Sequence, residues 1–251
     1  MIHFQLHQHF LLLMSLFSLG HADILNDGII GGHEAKPHSK PYMAYLTMKH
    51  NGKTYICSGF LVSAQFVMTA AHCDGTDINV LLGSHNVHTH EKSQQKFEVK
   101  QKFLHPNYTE ALKGFDIMLL KLNRIVNLNS RVHIILLPKE NSDVPVGTVC
   151  NVAGWGLVNS SSVSNVLMEV NVPVISNDEC RKEIHVLTDN MMCAGEPGTN
   201  KDSAQGDSGG PLVCNGEAQG IVSFGEEKPP GVYTRISKFI PWIKKTLQSF
   251  E

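Results

Sequence analysis

Between Pro41 and Arg235 this chain reads as short strands divided by turns, and that pattern restricts the fold more than any other feature. Strand-like stretches occur at Tyr42–Lys49, Tyr55–Ser63, Phe66–Ala70, Asp116–Leu122 and Val149–Ala153. Turn signals fall between them at Asn51-Gly52, Asp74-Gly75, Val146-Gly147 and Asn215-Gly216, where a backbone can reverse without steric cost. Many short strands without alternating helices point to antiparallel barrels or sandwiches, so the expected class is all-β. Only the end looks helical. Ile236, Phe239, Ile240, Ile243 and Leu247 recur at helical spacing. Ser237 is placed to cap that helix, with Pro241 tolerated in or near its first turn. No repeat, heptad or low-complexity segment interrupts the pattern.

The beginning of the chain is of another kind. Phe10–Leu19 is an apolar run of about ten residues, too short to span a bilayer as a helix. Gly20-His21-Ala22 follows with the small residues that a signal peptidase reads. His3, His7 and His9 stand where Lys or Arg is usual. Residues 1–22 are therefore expected to be a signal peptide cut after Ala22, and no later apolar run is long enough for a membrane span. Asp23–Gly28 then separates that cut from Ile29-Ile30-Gly31-Gly32, a stiff pair backed by a flexible hinge. Six cysteines, an even number, suggest pairing in an exported chain. Residues 29–251 carry 21 Lys and Arg against 21 Asp and Glu, because residues 1–28 hold only Asp23 and Asp27. That neutral balance argues against nucleic acid as a partner.

Chemistry concentrates in Gly206-Asp207-Ser208-Gly209-Gly210-Pro211. A small nucleophile sits between glycines that permit tight turns and close approach of a substrate backbone. The N–H groups of Gly206 and Ser208 are two neighbouring donors for one oxyanion. A serine hydroxyl is nearly inert alone and requires a base with an acid behind it. Thr69-Ala70-Ala71-His72-Cys73 sets a histidine after an apolar strand, beside a cysteine that can pin it. Gly114-Phe115-Asp116-Ile117-Met118-Leu119-Leu120 sets one carboxylate at the head of an apolar strand, where burial requires donors such as a histidine N–H or Ser223. His72 as general base and acid, Asp116 as holder of its tautomer and Ser208 as nucleophile form the expected catalytic set.

Taken together, IIGG (29–32), TAAHC (69–73), DIMLL (116–120), GWG (154–156), GDSGGP (206–211) and VSFG…PPGVYTRIS (222–237) resemble the chymotrypsin-like serine proteases. Within that family the look is nearest to granzymes and mast-cell proteases. The resemblance runs from Ile29 to the final helix. It implies two packed six-stranded antiparallel β-barrels with a C-terminal α-helix and the active site in the cleft between barrels. His72 and Asp116 would come from the first barrel and Ser208 from the second. It divides residues 29–251 into a first barrel near 29–135, a second near 136–235 and a helix near 236–248. It pairs Cys57 with Cys73, Cys150 with Cys214 and Cys180 with Cys193, each bridge worth roughly 2–4 kcal/mol through restriction of the unfolded chain. A further bridge found beside the pocket in most relatives is absent: Ala204 occupies one of its positions, and no cysteine occurs between Phe224 and Gly231.

The resemblance also assigns activation and specificity. A cut at Gly28–Ile29 frees an α-ammonium expected to pair with Asp207 and order the pocket. Residues 1–28 hold no Lys or Arg, so a basic-site cut is excluded. A six-residue prosegment suits a dipeptidyl-peptidase as the activating partner. Asp202 matches the floor of the primary pocket, with Ser203 and Gln205 beside it and Gly225 and Gly231 at the walls. A carboxylate there favours cleavage after Arg or Lys, with chymotryptic or other specificity as the alternative because the loop Glu226–Pro230 is short and the bridge missing. Ser223-Phe224-Gly225 is expected to bond an extended peptide as an added strand.

Asn107-Tyr108-Thr109 and Asn159-Ser160-Ser161 are glycosylation acceptors in an exported chain. His85, His88 and His90 lie close in sequence but suggest no fourth ligand or second shell, so no metal is expected, nor any cofactor. The expected protein is a secreted or granule-stored monomeric zymogen of a serine endopeptidase. Its partners are peptide and protein substrates and protein inhibitors. A protease-shaped binding or signalling protein without catalysis is the competing class.

Overall fold

A computed structural model of the chain describes residues 31–159, 162–199, 206–225 and 229–250. The predicted signal segment and Gly28–Ile29 lie outside them, as do Asp202, Ser203, Ala204, Gln205, Glu226 and Glu227.

Seven strands precede the midpoint: β1 (His33–Glu34), β2 (Met43–His50), β3 (Lys53–Ser63), β4 (Phe66–Thr69), β5 (Thr76–Leu82), β6 (Gln95–Leu104) and β7 (Met118–Leu122). All but β1 close into an antiparallel barrel in the order β2-β3-β4-β7-β6-β5. The β2–β3 turn is Asn51-Gly52, both at positive φ (50° and 76°), the two-residue hairpin geometry that such a pair favours. Along β2 the residues Ala44, Leu46 and Met48 point inward and are buried, as a period of two requires.

Eight strands follow: β8 (Val149–Gly154), β9 (Leu157–Asn159), β10 (Ser162–Val163), β11 (Met168–Ile175), β12 (Met191–Ala194), β13 (Pro211–Cys214), β14 (Glu217–Phe224) and β15 (Gly231–Arg235). Six of these run β11-β12-β15-β14-β13-β8, and a β8–β11 pairing closes the second barrel. Asn215-Gly216 repeats the positive-φ hairpin between β13 and β14. β9 and β10 form a separate hairpin.

The chain crosses over at both ends. β1 precedes the first barrel but pairs with β11 of the second, His33 opposite Glu169 and Glu34 opposite Met168. The last helix, α2 (Ile240–Gln248), packs Ile240 and Ile243 into the core of the first barrel, together with Ile236 and Phe239. Each barrel is thus held partly by a segment from beyond the other.

Four sequence expectations are corrected here. The C-terminal helix is not one helix from Ile236: Ile236–Lys238 is a 3-10 turn and α2 starts after Phe239, with Pro241 in its first turn. Ser237 does not cap it; its hydroxyl is buried without a hydrogen-bond partner. The end is also not alone in being helical. α1 spans Asn177–Glu183, and Ser176 Oγ accepts from Glu179 N at 3.1 Å. Ser176-x-x-Glu179 is a capping-box pattern legible in the sequence. Strand β7 starts at Met118, so Asp116 stands just before it and not within it.

Three disulfides are present, Cys57–Cys73, Cys150–Cys214 and Cys180–Cys193, the pairing that the resemblance implies. The first ties β3 to the turn that carries His72. The second joins β8 to β13, and the third joins α1 to β12.

Candidate active site

Asp116 is completely buried, and a carboxylate is stable there only if donors replace water. The fold supplies three. His72 N donates to Oδ1 at 2.9 Å, the His72 ring Nδ1 lies 2.7 Å from Oδ2, and Ser223 Oγ donates to Oδ2 at 2.6 Å. Thr234 Oγ1 donates to the Asp116 main-chain oxygen at 2.9 Å. His72 comes from the 3-10 turn Ala71–Cys73 after β4, whereas Ser223 and Thr234 come from β14 and β15. One carboxylate is therefore held by both barrels. Because a carboxylate only accepts, the proton of the neutral imidazole sits on Nδ1, leaving Nε2 as a lone-pair acceptor. The His72 side chain is 28% exposed, so the ring is not sealed in the core.

The negative charge is felt by Tyr108, which sequence reasoning did not single out. Burial first, then Asp116, Asp74 and Glu110, push its phenol up to about 12.

Ser208 arrives on a turn that glycine makes possible. Gly206 and Gly209 have φ of 97° and 81°, in the left-handed region that side chains avoid. A Cβ on Gly206 would also lie 2.8 Å from Gly156 Cα, and one on Gly209 would overlap Thr69 Oγ1 and Ser58 O. That tight approach fastens the nucleophile candidate to the strand leading into His72. Ser58 N donates to Ser208 O at 2.9 Å, Ser58 Oγ to Gly206 O at 3.3 Å, and Thr69 Oγ1 to Ser58 O at 2.8 Å. The Cys73 sulfur lies 3.7 Å from Ser208 O. Ser58 is thus a stitch between barrels. Nothing in the sequence marks it, because a lone serine in a strand acquires this role only once the barrels dock.

Among the described residues, no hydrogen bond joins Ser208 Oγ to the His72 ring. Such a contact is commonly long in the absence of substrate. The N–H groups of Gly206 and Ser208 are likewise uncommitted among the described residues, as an oxyanion site requires.

Asp207 is also fully buried and accepts from Gly156 N at 2.9 Å through Oδ1. Gly154 passes so close that a Cβ there would overlap this oxygen.

Ser223 and Phe224 end β14, and Gly225 follows it. Ser223 faces Asp116, Phe224 packs with Ile175 against the Cys180–Cys193 cluster, and Gly225 is exposed. Gly231 is buried at the head of β15. The pocket-floor residues Asp202, Ser203 and Gln205 lie outside the described residues. Asn107 is exposed between β6 and the 3-10 turn Ala111–Lys113, and the backbone of Asn159 ends β9. His85, His88 and His90 do not converge: His85 is buried with Nε2 2.8 Å from Glu34 Oε1, while His88 and His90 are exposed. Among the described residues the one group of three possible metal ligands within reach of one another is Cys57, His72 and Cys73, and its two sulfurs are bonded to each other.

The comparisons agree with this geometry. Duodenase-1 of Bos taurus is 49% identical over 228 residues, covering 89% of this chain and 90% of its own length. Mast cell protease 3 of Ovis aries is 47% identical over 247 residues, covering 96% and 97%. A solved structure of GrC superposes with a TM-score of 0.80 at 41% identity, covering 88% of this chain and all of that one. The family model described as Trypsin matches residues 29–243, from the first residue of IIGG into α2, and the chain belongs to that family, the chymotrypsin-like serine proteases.

Proposed function

We propose that this protein is a secreted or granule-stored serine endopeptidase, made as a zymogen and cleaving after Arg or Lys. The observation that carries the catalytic part is the buried Asp116 carboxylate, met by the main-chain N–H and ring Nδ1 of His72 and by Ser223. His72 Nε2 takes the Ser208 proton as the hydroxyl attacks the scissile carbonyl. The N–H groups of Gly206 and Ser208 receive the oxyanion. The imidazolium then protonates the leaving amine, and water releases the acyl group by the reverse route. These are the roles of the family's triad. No step calls for a metal or cofactor.

The activation reading is supported by register. Glu34 faces Met168, and Met168 faces Gly154, which abuts Asp207. Two strand spacings, about 10 Å, separate Glu34 from Gly154. Ile29 lies four residues before His33, a reach of roughly 14 Å when extended. An α-ammonium freed at Ile29 can therefore span to Asp207. The absence of Lys and Arg before Ile29 favours an activating dipeptidyl-peptidase, and the apolar run before Ala22 supports export. Among the described residues no helix is long and apolar enough to cross a membrane. Asn107, exposed in its loop, is a glycan acceptor candidate. Basic specificity rests on Asp202, six residues before Ser208. Substrate proteins and protein inhibitors are the partners that such a cleft takes.

Covalent labelling by a fluorophosphonate tests the enzyme. Protein beginning at Ile29 should label at Ser208, and Ser208→Ala should not. Failure of the processed wild type to label overturns the catalytic reading. Peptides differing only in the residue before the scissile bond test specificity: Arg and Lys should be fastest, and Asp202→Ser should abolish that preference while labelling persists. Fastest turnover after Phe or Leu overturns it.

A further inference from the structure

The strand that leads from the new amino terminus is weakly anchored on its own. β1 has two residues, both exposed, and only Ala35 behind it is buried. Ala35 N donates to Leu167 O at 2.9 Å. Beyond it the chain turns at Lys36–Ser39, with His38 at φ 60° and Ser39 N donating to Lys36 O, and Lys40 returns to where β1 began. One side chain meets both ends of this loop. Glu169 is the register partner of His33, whose Nε2 lies 3.9 Å from Glu169 Oε1. Glu169 Oε2 accepts from Lys40 Nζ at 2.7 Å and from Asn151 Nδ2 at 2.8 Å.

Among the described residues this ion pair is unlike the other Lys and Arg pairs, in each of which at least one partner is well exposed. The Lys40 and Glu169 side chains are 16% and 14% exposed, so water screens them little and removal of one partner leaves the other poorly solvated. Burial alone would push the Glu169 carboxyl up, but the Lys40 ammonium and Asn151 outweigh it and hold it below the usual range. Burial first, and then the nearby Glu169 charge, push the Tyr42 phenol up. A partly buried carboxylate with this many partners, closing a surface loop, does more than decorate a strand.

We propose that Glu169 is a positioning residue: with Lys40 it closes the 33–40 loop on β11, keeps β1 in register, and so keeps the processed amino terminus seated beside Asp207. This rests on the activation reading above. Neither Glu169 nor Lys40 touches the reacting atoms. Their effect is on the fraction of molecules in the competent state, not on the chemistry within that state.

The test is the reactivity of the Ile29 α-amine in processed protein. Potassium cyanate carbamylates a free amine and spares one buried in an ion pair, and mass spectrometry of the terminal peptide follows the rate. The wild-type terminus should be protected. Glu169→Gln and Lys40→Met should each be carbamylated about tenfold faster, because the unseated fraction grows by that factor. The charge swap Lys40→Glu with Glu169→Lys should restore most of the protection, which a merely structural role would not. A wild-type terminus modified as fast as a free peptide overturns the seating itself and the positioning role with it. A protected wild type with equally protected single variants overturns the positioning role alone.

Discussion

Asp116 and Asp207 are both completely buried, yet their surroundings are built differently. Asp116 lies where the barrels meet and takes donors from β14 and from the turn after β4. Every one of those donors belongs to the finished fold. Asp207 lies under the Gly154–Gly156 segment and takes the Gly156 N–H. On the proposed activation its countercharge, the Ile29 α-ammonium, exists only after a peptide bond is cut. Burying a carboxylate costs several kcal/mol unless something answers it. At Asp116 the fold answers, which makes an orienting group. At Asp207 the fold answers in part, through the Gly156 N–H, and on the proposed activation the freed Ile29 ammonium adds the countercharge that makes a switch.

Asp116→Asn should break the first half of this contrast most severely. The amide keeps the shape but offers donors where an acceptor is needed, and the imidazole turns to the tautomer that protonates Nε2. The loss in kcat should be on the order of 10⁴, read on a peptide substrate and mirrored in slow fluorophosphonate labelling. A loss below about tenfold would show that the His72 tautomer does not depend on Asp116.

Asp207→Asn should come next, at about 10² or more in activity of processed protein. The amide oxygen still accepts from Gly156 N, so the thermal midpoint should fall more in the processed protein than in the uncut one. What should disappear is the gain in midpoint on processing. Equal destabilisation of cut and uncut forms would make Asp207 a structural carboxylate like Asp116 and erase the distinction.

Ser223→Ala tests how much of Asp116's role depends on its second side-chain donor. One charge-assisted hydrogen bond is lost while both His72 contacts remain, so kcat should fall by about tenfold with KM unchanged. Thr234→Val removes a bond to the main chain of Asp116 and should cost less. The reverse ranking would mean that the backbone at Asp116, more than its carboxylate, sets the His72 geometry.

Much of this was readable from residues and some was not, for physical reasons. The strands announced themselves because a barrel wall alternates inward and outward side chains and its hairpins need Asn-Gly at positive φ. Asp116 was legible as a carboxylate in an apolar context, and Ser223 as its second donor, because buried charge must be answered. Ser58 and Tyr108 were not legible, since their roles exist only after distant segments pack together. The docking of β1 on the second barrel was equally hidden: His33-Glu34 carries no signal for its partner strand. α1 was legible only through its cap, Ser176 and Glu179 at capping-box spacing, because seven residues are too short to show a helical stripe.

The smallest effect offers the sharpest view of the Asp116 charge. Tyr108 holds its proton to about 12 in the folded protein, against roughly 10 in an unfolded chain. Between those values the folded state keeps a proton that the unfolded state has released, so stability falls as pH rises through that window. Tyr108→Phe should remove that slope from alkaline unfolding curves. It should also remove one late phenolate transition from the absorbance titration, leaving those of Tyr42, which burial and Glu169 push up, and Tyr45, which burial pushes up. Burial, the largest cause for Tyr108, is untouched by Asp116→Asn, whereas the next largest, the Asp116 charge, is removed. The Tyr108 midpoint should therefore drop in that variant and stay above 10. In Asp207→Asn it should not move, because Asp207 is not among the charges that act on it. An Asp116→Asn midpoint equal to that of the wild type would mean that His72 and Ser223 screen the carboxylate completely, and that its field ends at the hydrogen bonds it accepts.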